Sequence, residues 1–466
     1  MKTVIHWFRR DLRVSDNVAL SEAAKRAENV VPVFIFEDAF RARPDVGAAR
    51  LEFLLQSVES LRRNLQELGH SLVVRRGKSV QILPALCRET GAQAVFANKR
   101  YEPYVQRRDS QIAGVLLEAG FGFELFKDAV VWEESEILTQ QDKPYTVFTP
   151  YSKTWKAKPT PLPRPRLGPP KFKVQSLKSD ALPESPDELG HSLKQSIPPG
   201  GERAALELLR KFMAGPVYEY GGNRNFPAID GTSNLSPHLR AGSIGIRTIM
   251  AELKKARTKA TTSQVSGCDV FLNELIWREF YLQVLHNFPH VTKGAFRPEY
   301  DRLNWSENRE HFAAWCEGRT GYPIVDAAMR CLNATGLMHN RLRMIVAMFL
   351  TKDLLIHWQW GERYFMQQLV DGDMAANNGG WQWSAGTGTD AAPYFRIFNP
   401  VSQGEKFDPK GEFVRRWVPE LASFPDELIH QPWESSLLLA QSKYPPRVVI
   451  HEEQRDKCLA MFKAVK

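Results

Sequence analysis

Between Asp371 and Asn399 the chain reads DGDMAANNGGWQWSAGTGTDAAPYFRIFN. Asp371 and Asp373, the adjacent amides Asn377 and Asn378, a Gly-Gly pair and the indoles of Trp381 and Trp383 fall within thirteen residues. Gly and Asn both cost helix stability, the first through backbone freedom and the second by competing for backbone hydrogen bonds. Two large aromatic rings in such company need either a core or a flat ligand. The stretch therefore reads as a loop-and-helix wall around a planar polar ring, with acids and amides to meet the ring's edge.

Three further stretches carry residues of the same kind. GTSNLSPHLRAG (231–242) offers Thr232, Ser233, Asn234 and Ser236, with Leu235 among them, just ahead of a helix. The unpaired N–H groups and partial positive charge of a helix start suit a phosphate, although an ordinary N-cap run has the same composition. NELIWREFY (273–281) sets Glu274, Trp277 and Tyr281 on one helix face, with Arg278 beside them. That face is either a surface salt-bridge stripe or the lining of a pocket that stacks and hydrogen-bonds a base. MHNRLRM (338–344) opens a helix with Asn340, Arg341, Arg343 and Met344. Arginines at a helix start oppose its dipole, so an anion is expected beside them: a phosphate, Asp371 or Asp373.

Hydrophobic periodicity supplies the elements that must position these residues. TVIHWF, VVPVFIF, SLVVRR, AQAVFAN and GFELFKD are short β-rich runs separated by helical patterns, which predicts a parallel sheet with right-handed crossovers over residues 1–130. No GxGxxG follows the first strand; FRRDLRVSD stands there instead and reads as a salt-bridged turn closing the sheet edge. Residues 131–198 read as an interdomain linker. Its segment Lys153–Lys178 carries eight basic residues (Lys171 and Lys173 among them), six prolines and no acid, the composition of an extended, solvated connector. Helical signals dominate 199–466. HNRLRMIVAMFLTKDLLIHW reads as one helix, Pro323 and Gly336 as the start and stop of another, and a charged tail helix is expected to end near Lys466. The fold class is an α/β, Rossmann-like N-terminal domain joined by a long linker to an all-α C-terminal domain.

At 466 residues, 43% hydrophobic and 25% charged, the sequence suits a soluble globular protein of two or three domains. Lys plus Arg (62) exceed Asp plus Glu (53), and a net charge of +9 suits a polyanionic partner. Five scattered Cys form no CxxC and no metal-ligand spacing, so reduced thiols, no metal and a cytoplasmic location are expected. The N-terminus is charged by residue 9, unlike a signal peptide, and no apolar run is long enough to suggest a membrane span.

TSNLSP, NELIWREFY, TGYPIVDAAMR, MHNRLRM, DGDMAANNGGWQWSAGTGTD and RIFNP occur in this order, after HWFRRDLRVSDN at the start. Together they resemble the photolyase/cryptochrome family, and within it the microbial class I cyclobutane pyrimidine dimer photolyases. The resemblance implies a folded FAD in the helical domain. Tyr220 and Thr232, Ser233, Asn234, Leu235 and Ser236 would hold its diphosphate and ribitol, with Phe271 and Gly372 also at the cofactor. Arg343 would pair with Asp371 beside the ring, Asp373 would accept from the uracil-like edge, and Asn377 would stand at flavin N5.

The same resemblance implies UV-damaged DNA as the partner, bound without sequence preference by a monomer. Trp277 and Trp383 would stack a flipped-out dimer, Glu274 and Asn340 would hydrogen-bond its polar edges, and Met344 would pack alongside. Tyr281 shares the Trp277 face. Arg224, Arg278, Arg341, Arg396 and Lys406 would meet phosphates around the rim. Light-driven electron transfer from reduced, anionic FAD would split the dimer, and Trp381, Trp358 and Trp305 would re-reduce an oxidised flavin. The family's α/β domain usually carries a second, antenna chromophore. NKRYEPYVQRRD (98–109) has Tyr104 and Val105 where folate users carry Asn and Glu, so a deazaflavin or a flavin (FMN or FAD) is expected rather than folate, near Arg50, Lys99, Tyr101 and Glu102. The alternative function is a blue-light receptor of cryptochrome type; Asn377, Glu274, both pocket Trp and the short, folded C-terminus favour repair. Repair of (6-4) photoproducts expects a His pair where this chain has Asn340 and Met344.

Overall fold

Strand β1 (Thr3–Phe8) is buried along its whole length and occupies the centre of a five-stranded parallel sheet. A computed structural model describes residues 1–37, 43, 45–170 and 177–465; Lys171, Lys173 and Lys466 lie outside the described residues. With β2 (Asn29–Phe36), β3 (Val73–Arg76), β4 (Ala94–Asn98) and β5 (Gly122–Phe126), the strand order is β3-β2-β1-β4-β5. Alternate residues of β1 serve different faces. Val4 and Phe8 pack with Leu20, Leu54 and Val58 from the helices Val18–Arg26 and Ala48–Glu67. Ile5 and Trp7 pack with Leu83, Leu86, Ile112 and Leu116 from Ser79–Thr90 and Pro103–Glu118. A strand covered on both faces is apolar throughout, as β1 is. Because β1 is central, the FRRDLRVSD turn lies at the end of the innermost strand, which corrects the expectation of a turn at the sheet edge.

The chain divides into two compact units. The first comprises Met1–Leu193, Pro198–Tyr218 and Ser233–Asn287; the second comprises Lys194–Ile197, Glu219–Thr232 and the chain from Phe288 onward. This division does not fall at residues 130 or 198, because the helices Glu202–Ala214, Ile246–Lys259 and Val265–Asn287 belong with the sheet. Charges in the turn after β1 hold them there. Asp16, in the left-handed conformation at φ 52°, accepts from Arg247 Nε at 2.7 Å and from the backbone N–H and hydroxyl of Thr248 at 3.1 and 3.0 Å. Asp128 receives Arg13 and Arg247, at 2.8 and 2.6 Å. The four charged side chains are buried. Gly242 and Gly245 let the helix start come this close, since a Cβ would strike the Arg10 carbonyl at one and the Asp16 carboxylate at the other.

The segment read as a linker is only partly a connector. Its first part folds as a helix, Phe148–Lys156, whose buried Trp155 donates to Glu279 at 2.7 Å. Glu279 also accepts from the Val131 and Trp132 backbone, and its burial, only partly offset by these donors, raises its pKa. Beyond that helix the chain is extended and pinned to the β1 turn, Leu167 N–H to Val14 O at 2.9 Å and Arg164 N–H to Asp16 Oδ1 at 2.9 Å.

In the second unit a core around Trp315, Met329, Val346, Phe365 and Trp381 is ringed by short helices. Pro323–Thr335 starts at its proline and stops at left-handed Gly336. The stretch HNRLRMIVAMFLTKDLLIHW is not one helix. Asn340–Met348 passes into a π turn, Phe349–Asp353; Leu355 adopts φ 54°, Ile356 bridges to Ser306, and a new helix, Trp358–Gln368, begins. Apolar spacing persists across the break, so periodicity alone could not reveal it. Tail helix His451–Lys463 is docked through His451 Nδ1 and Asp353 Oδ1, 2.5 Å apart.

Asp16→Asn keeps a residue tolerant of the left-handed conformation but leaves the two buried guanidinium groups of Arg13 and Arg247 with Asp128 as their one carboxylate in the cluster. A loss of about 3–5 kcal/mol in unfolding free energy is expected, read as a lower urea midpoint. Arg63→Ala, which removes an exposed pair with Glu59, is the control and should leave the midpoint in place.

Candidate functional site

The expected residues fall in both units, and each set is built within its own unit. In the second, the two arginines at the start of Asn340–Met348 find different partners. Arg343 donates to Asp371 Oδ2 and to the Met338 carbonyl, both at 2.8 Å. Arg341 reaches Asn225 Oδ1 at 2.7 Å and Met344 Sδ at 3.8 Å, and lies over the Phe407 ring at 4.3 Å. The other oxygen of Asp371, Oδ1, is buried with no hydrogen-bond partner. His339 caps this helix, its Nδ1 accepting from Arg341 N–H at 3.2 Å. Burial, reinforced by Arg343, Arg341 and Arg224, lowers the His339 pKa to about 4.

Asp373 stands at the start of another helix. Its Oδ1 accepts from Ala375 and Ala376 N–H at 3.1 and 3.4 Å and caps Met374–Ala385. Asn377, Asn378 and both glycines therefore lie inside a continuous helix, which a composition rich in helix-weakening residues did not announce. The amides do not compete with their own backbone because other backbones take them. Asn378 Nδ2 donates to Val291 O and Glu362 Oε1, both at 2.9 Å, and Asn377 Nδ2 donates to Glu362 O at 2.9 Å. With its NH₂ so held, Asn377 presents its oxygen as the pole for a donor. Burial raises the Glu362 pKa to about 7 against the Asn378 hydrogen bond.

Trp381 is 2% exposed and stands edge-on to Phe365 and Trp315, at 5.0 and 6.0 Å. Gly361 makes room for it: a Cβ there would strike the six-membered part of the indole. Two residues on, Trp383 projects from another side of the helix and is half-buried. Trp358 is buried and Trp305 half-buried. Asn340, Arg396 and Lys406 are exposed, while Arg224 lies over the Tyr220 ring at 5.4 Å. Thr232 is half-buried and Gly372 buried.

In the first unit, Val265–Asn287 carries Phe271, Glu274, Trp277, Arg278 and Tyr281. Trp277 lies face to face with Phe148, centroids 3.7 Å apart and planes 4° off parallel, with Phe280 edge-on and Tyr281 tilted against it. Phe148 was missed because it sits in the stretch read as linker. Arg278 donates to the Ala129 carbonyl at 2.7 Å, a bond that fixes the helix to the chain after β5. Phe271 is buried against Phe212. Ser233 and Asn234 precede the short helix Ser236–Ala241, with Asn234 left-handed at φ 52° and Leu235 buried.

The four expected antenna residues are all partnered within this unit. Lys99 bridges Glu133 and Glu134, the Tyr101 hydroxyl donates to Glu133, Glu102 pairs with Arg10 and Arg100, and Arg50 donates to the Asp45 carbonyl. Arg100 and Arg10 outweigh burial and hold the Glu102 pKa well below the carboxylate range; burial lowers that of Arg50 to about 10. Sequence reading missed the stack around Trp7, where Arg9 and Arg108 lie over the indole at 4.9 and 4.8 Å, and the Arg43–Tyr104 contact at 4.3 Å. Trp7 and Arg9 sit at the carboxyl end of β1, where the strand order reverses and open α/β sheets bind ligands.

Residues 4–169 match the family profile described as DNA photolyase, and residues 271–464 match that of the FAD binding domain of DNA photolyase. The chain belongs to the photolyase/cryptochrome family. It is similar, at 41% identity over 100% of its length and 99% of the relative's, to the deoxyribodipyrimidine photo-lyase of Escherichia coli strain K12. A class III photolyase from Agrobacterium tumefaciens superposes with a TM-score of 0.90 at 38% identity, covering 100% of this chain and 98% of its own. An archaeal photolyase from Sulfolobus tokodaii, solved with two FAD molecules, superposes with a TM-score of 0.84 at 32% identity, covering 99% and 100%. Within this family fold, the Arg343–Asp371 pair and the Asn377 amide are set by backbone carbonyls and caps, not by side-chain packing alone.

His339 titrates with a definite sign. Its pKa falls from 6.5 unfolded to about 4 folded, so the unfolded chain binds more protons between those values. The stabilisation is complete above about pH 6.5 and is lost as pH falls toward 4. His339→Asn keeps a capping side chain without the titration and should flatten the stability–pH slope in that window, measured by urea unfolding at half-unit pH steps.

Proposed function

We propose that the protein is an FAD-dependent photolyase that repairs cyclobutane pyrimidine dimers in DNA under light. The observation that carries the reading is Arg343 held against Asp371, whose second oxygen is buried and unpartnered, beside a helix on which Asn377 presents an oriented amide oxygen. A flavin ring, with donors and acceptors alternating along one edge, supplies the partners this set lacks, so the residues fit the group. Reduced FAD, when bound, supplies on illumination the electron that splits the cyclobutane ring.

The chain's own residues orient and exclude. Arg343 and Asp371 fix the ring's position, and Asp373, whose Oδ1 caps its helix, meets the ring edge. Asn377 offers an acceptor to an N–H without adding a negative charge beside a reduced ring. Tyr220, Thr232 and the Ser233–Ser236 segment hold the phosphates. In the first unit Trp277, stiffened by its Phe148 stack, and Glu274 on the same helix are assigned to the flipped-out dimer; in the second unit Trp383, Asn340 and Met344 are. Arg224, Arg341, Arg396 and Lys406 contact the DNA backbone, which gives the +9 charge a salt-sensitive, sequence-independent task. Trp305, Trp358 and Trp381 relay electrons inward. A second, flavin-type chromophore fits the first unit at the carboxyl end of β1, where arginine and aromatic faces already alternate.

The test is light-dependent loss of dimers from irradiated DNA by the chemically reduced holoprotein; no loss beyond the dark control overturns the proposal. Glu274→Ala should slow repair at least tenfold, about 1.4 kcal/mol in the barrier, while FAD stays bound. Trp381→Phe should repair when chemically reduced but fail to photoreduce. Flavin release from the first variant, or loss of both abilities in the second, would refute the assigned roles.

A further inference from the structure

Helix Trp358–Gln368 begins with an unusual cap. His357 Nδ1 accepts from the Gln359 N–H at 3.2 Å, a task that Asn, Asp and Ser perform without an ionisable ring. The same imidazole meets two indoles: its centroid is 5.5 Å from Trp305, at 66°, and 5.7 Å from Trp358, at 26°. The cap requires a lone pair on Nδ1, so the hydrogen bond places the proton of the neutral ring on Nε2. A titratable ring thus stands against both outer members of the electron relay proposed above, on which its role depends.

We propose that His357 is a proton-controlled gate: neutral, it lets Trp358 and Trp305 give up an electron in turn; protonated, it confines the electron vacancy to Trp381. In the gated step one electron leaves Trp305 and fills the oxidised Trp358. No bond forms or breaks, no proton moves onto His357, and a soluble thiol later restores Trp305. A positive imidazolium beside both indoles makes a further positive charge on either more costly than one on Trp381. Protonation also removes the Nδ1 lone pair and sets a cation at the positive end of the helix, so the ring leaves its capping position.

The surroundings keep the gate open at neutral pH. Burial lowers the His357 pKa, opposed by the field of Asp301 from the segment Pro298–Arg302. Behind Trp305, the tail helix contributes the neutral ring of Phe462, with the Lys352 amine of the π turn 3.9 Å above it. Beside the cap, Gln359 Nε2 donates to the Lys293 carbonyl at 3.2 Å. Asp301 is thus the carboxylate acting on the ring, and Lys352 lies beyond Phe462.

The experiment is transient absorption of the long-lived tryptophan radical in the oxidised holoprotein after a light flash, from pH 8 to 5, alongside histidine-selective NMR of the dark protein. The wild-type radical yield should fall by roughly tenfold as pH drops, with the midpoint at which His357 titrates by NMR. His357→Asn, which keeps a capping side chain, should give a flat profile; if it does not fold, His357→Asp is read in the same way. A variant profile that follows the wild type, or midpoints that differ, overturns the gate. Trp358→Phe separates this from failure of the relay: full radical yield in that variant overturns the relay reading and the gate together. If that variant gives no radical while His357→Asn tracks the wild type, the gate alone falls.

Discussion

The buried charge cluster of Asp16, Arg13, Asp128 and Arg247 decides how the first unit is assembled. Each of these groups alone would be costly away from water, and each is tolerable only because the others are present. The cluster sits where β1 ends, so it takes a central strand, the chain after β5 and the start of Ile246–Lys259 as its three sources. The following helix, Val265–Asn287, is then fixed a second time, by Glu279 on the backbone of Val131 and Trp132 and on the indole of Trp155. Trp277 and Glu274 stand on that helix. Their orientation is inherited from ion pairs formed by a turn more than two hundred residues earlier in the chain.

The second unit uses polar backbone groups to the same end. Asp373 as a cap, Glu362 O as the seat of the Asn377 amide and Met338 O as a second acceptor for Arg343 each fix a side chain of the expected site. The helix with Asn-Asn-Gly-Gly at its centre is stable because neighbouring elements absorb the polarity that would otherwise unwind it.

Much of this was legible in the chain. Alternating β and helical periods in the first 130 residues announce the parallel sheet, and Pro323 and Gly336 mark their helix at both ends. Spacing also put Glu274, Trp277 and Tyr281 on one face and foretold the anion that Arg343 meets, whereas Arg341 reaches the neutral amide of Asn225. What escaped were features set by distant partners. The π turn at Phe349–Asp353 is hidden under unbroken apolar spacing. The membership of Ile246–Lys259 with the sheet depends on Asp16, and nothing local to either segment says so. Phe148 hid in a proline- and lysine-rich neighbourhood, although its helix is anchored by Trp155. The partners of the residues expected at an antenna, such as Glu133 and Glu134 for Lys99, could be found only in three dimensions.

The contact between Gly361 and Trp381 has a kinetic side. An indole wedged against a backbone with no side chain, and bracketed edge-on by Phe365 and Trp315, has almost no room to shift, which bears on the proposed electron relay. Packing of this kind would keep the nuclear rearrangement of the indole and its contacts small in the proposed first hop. Only the energy difference between successive donors is left to be tuned by the polar groups around them.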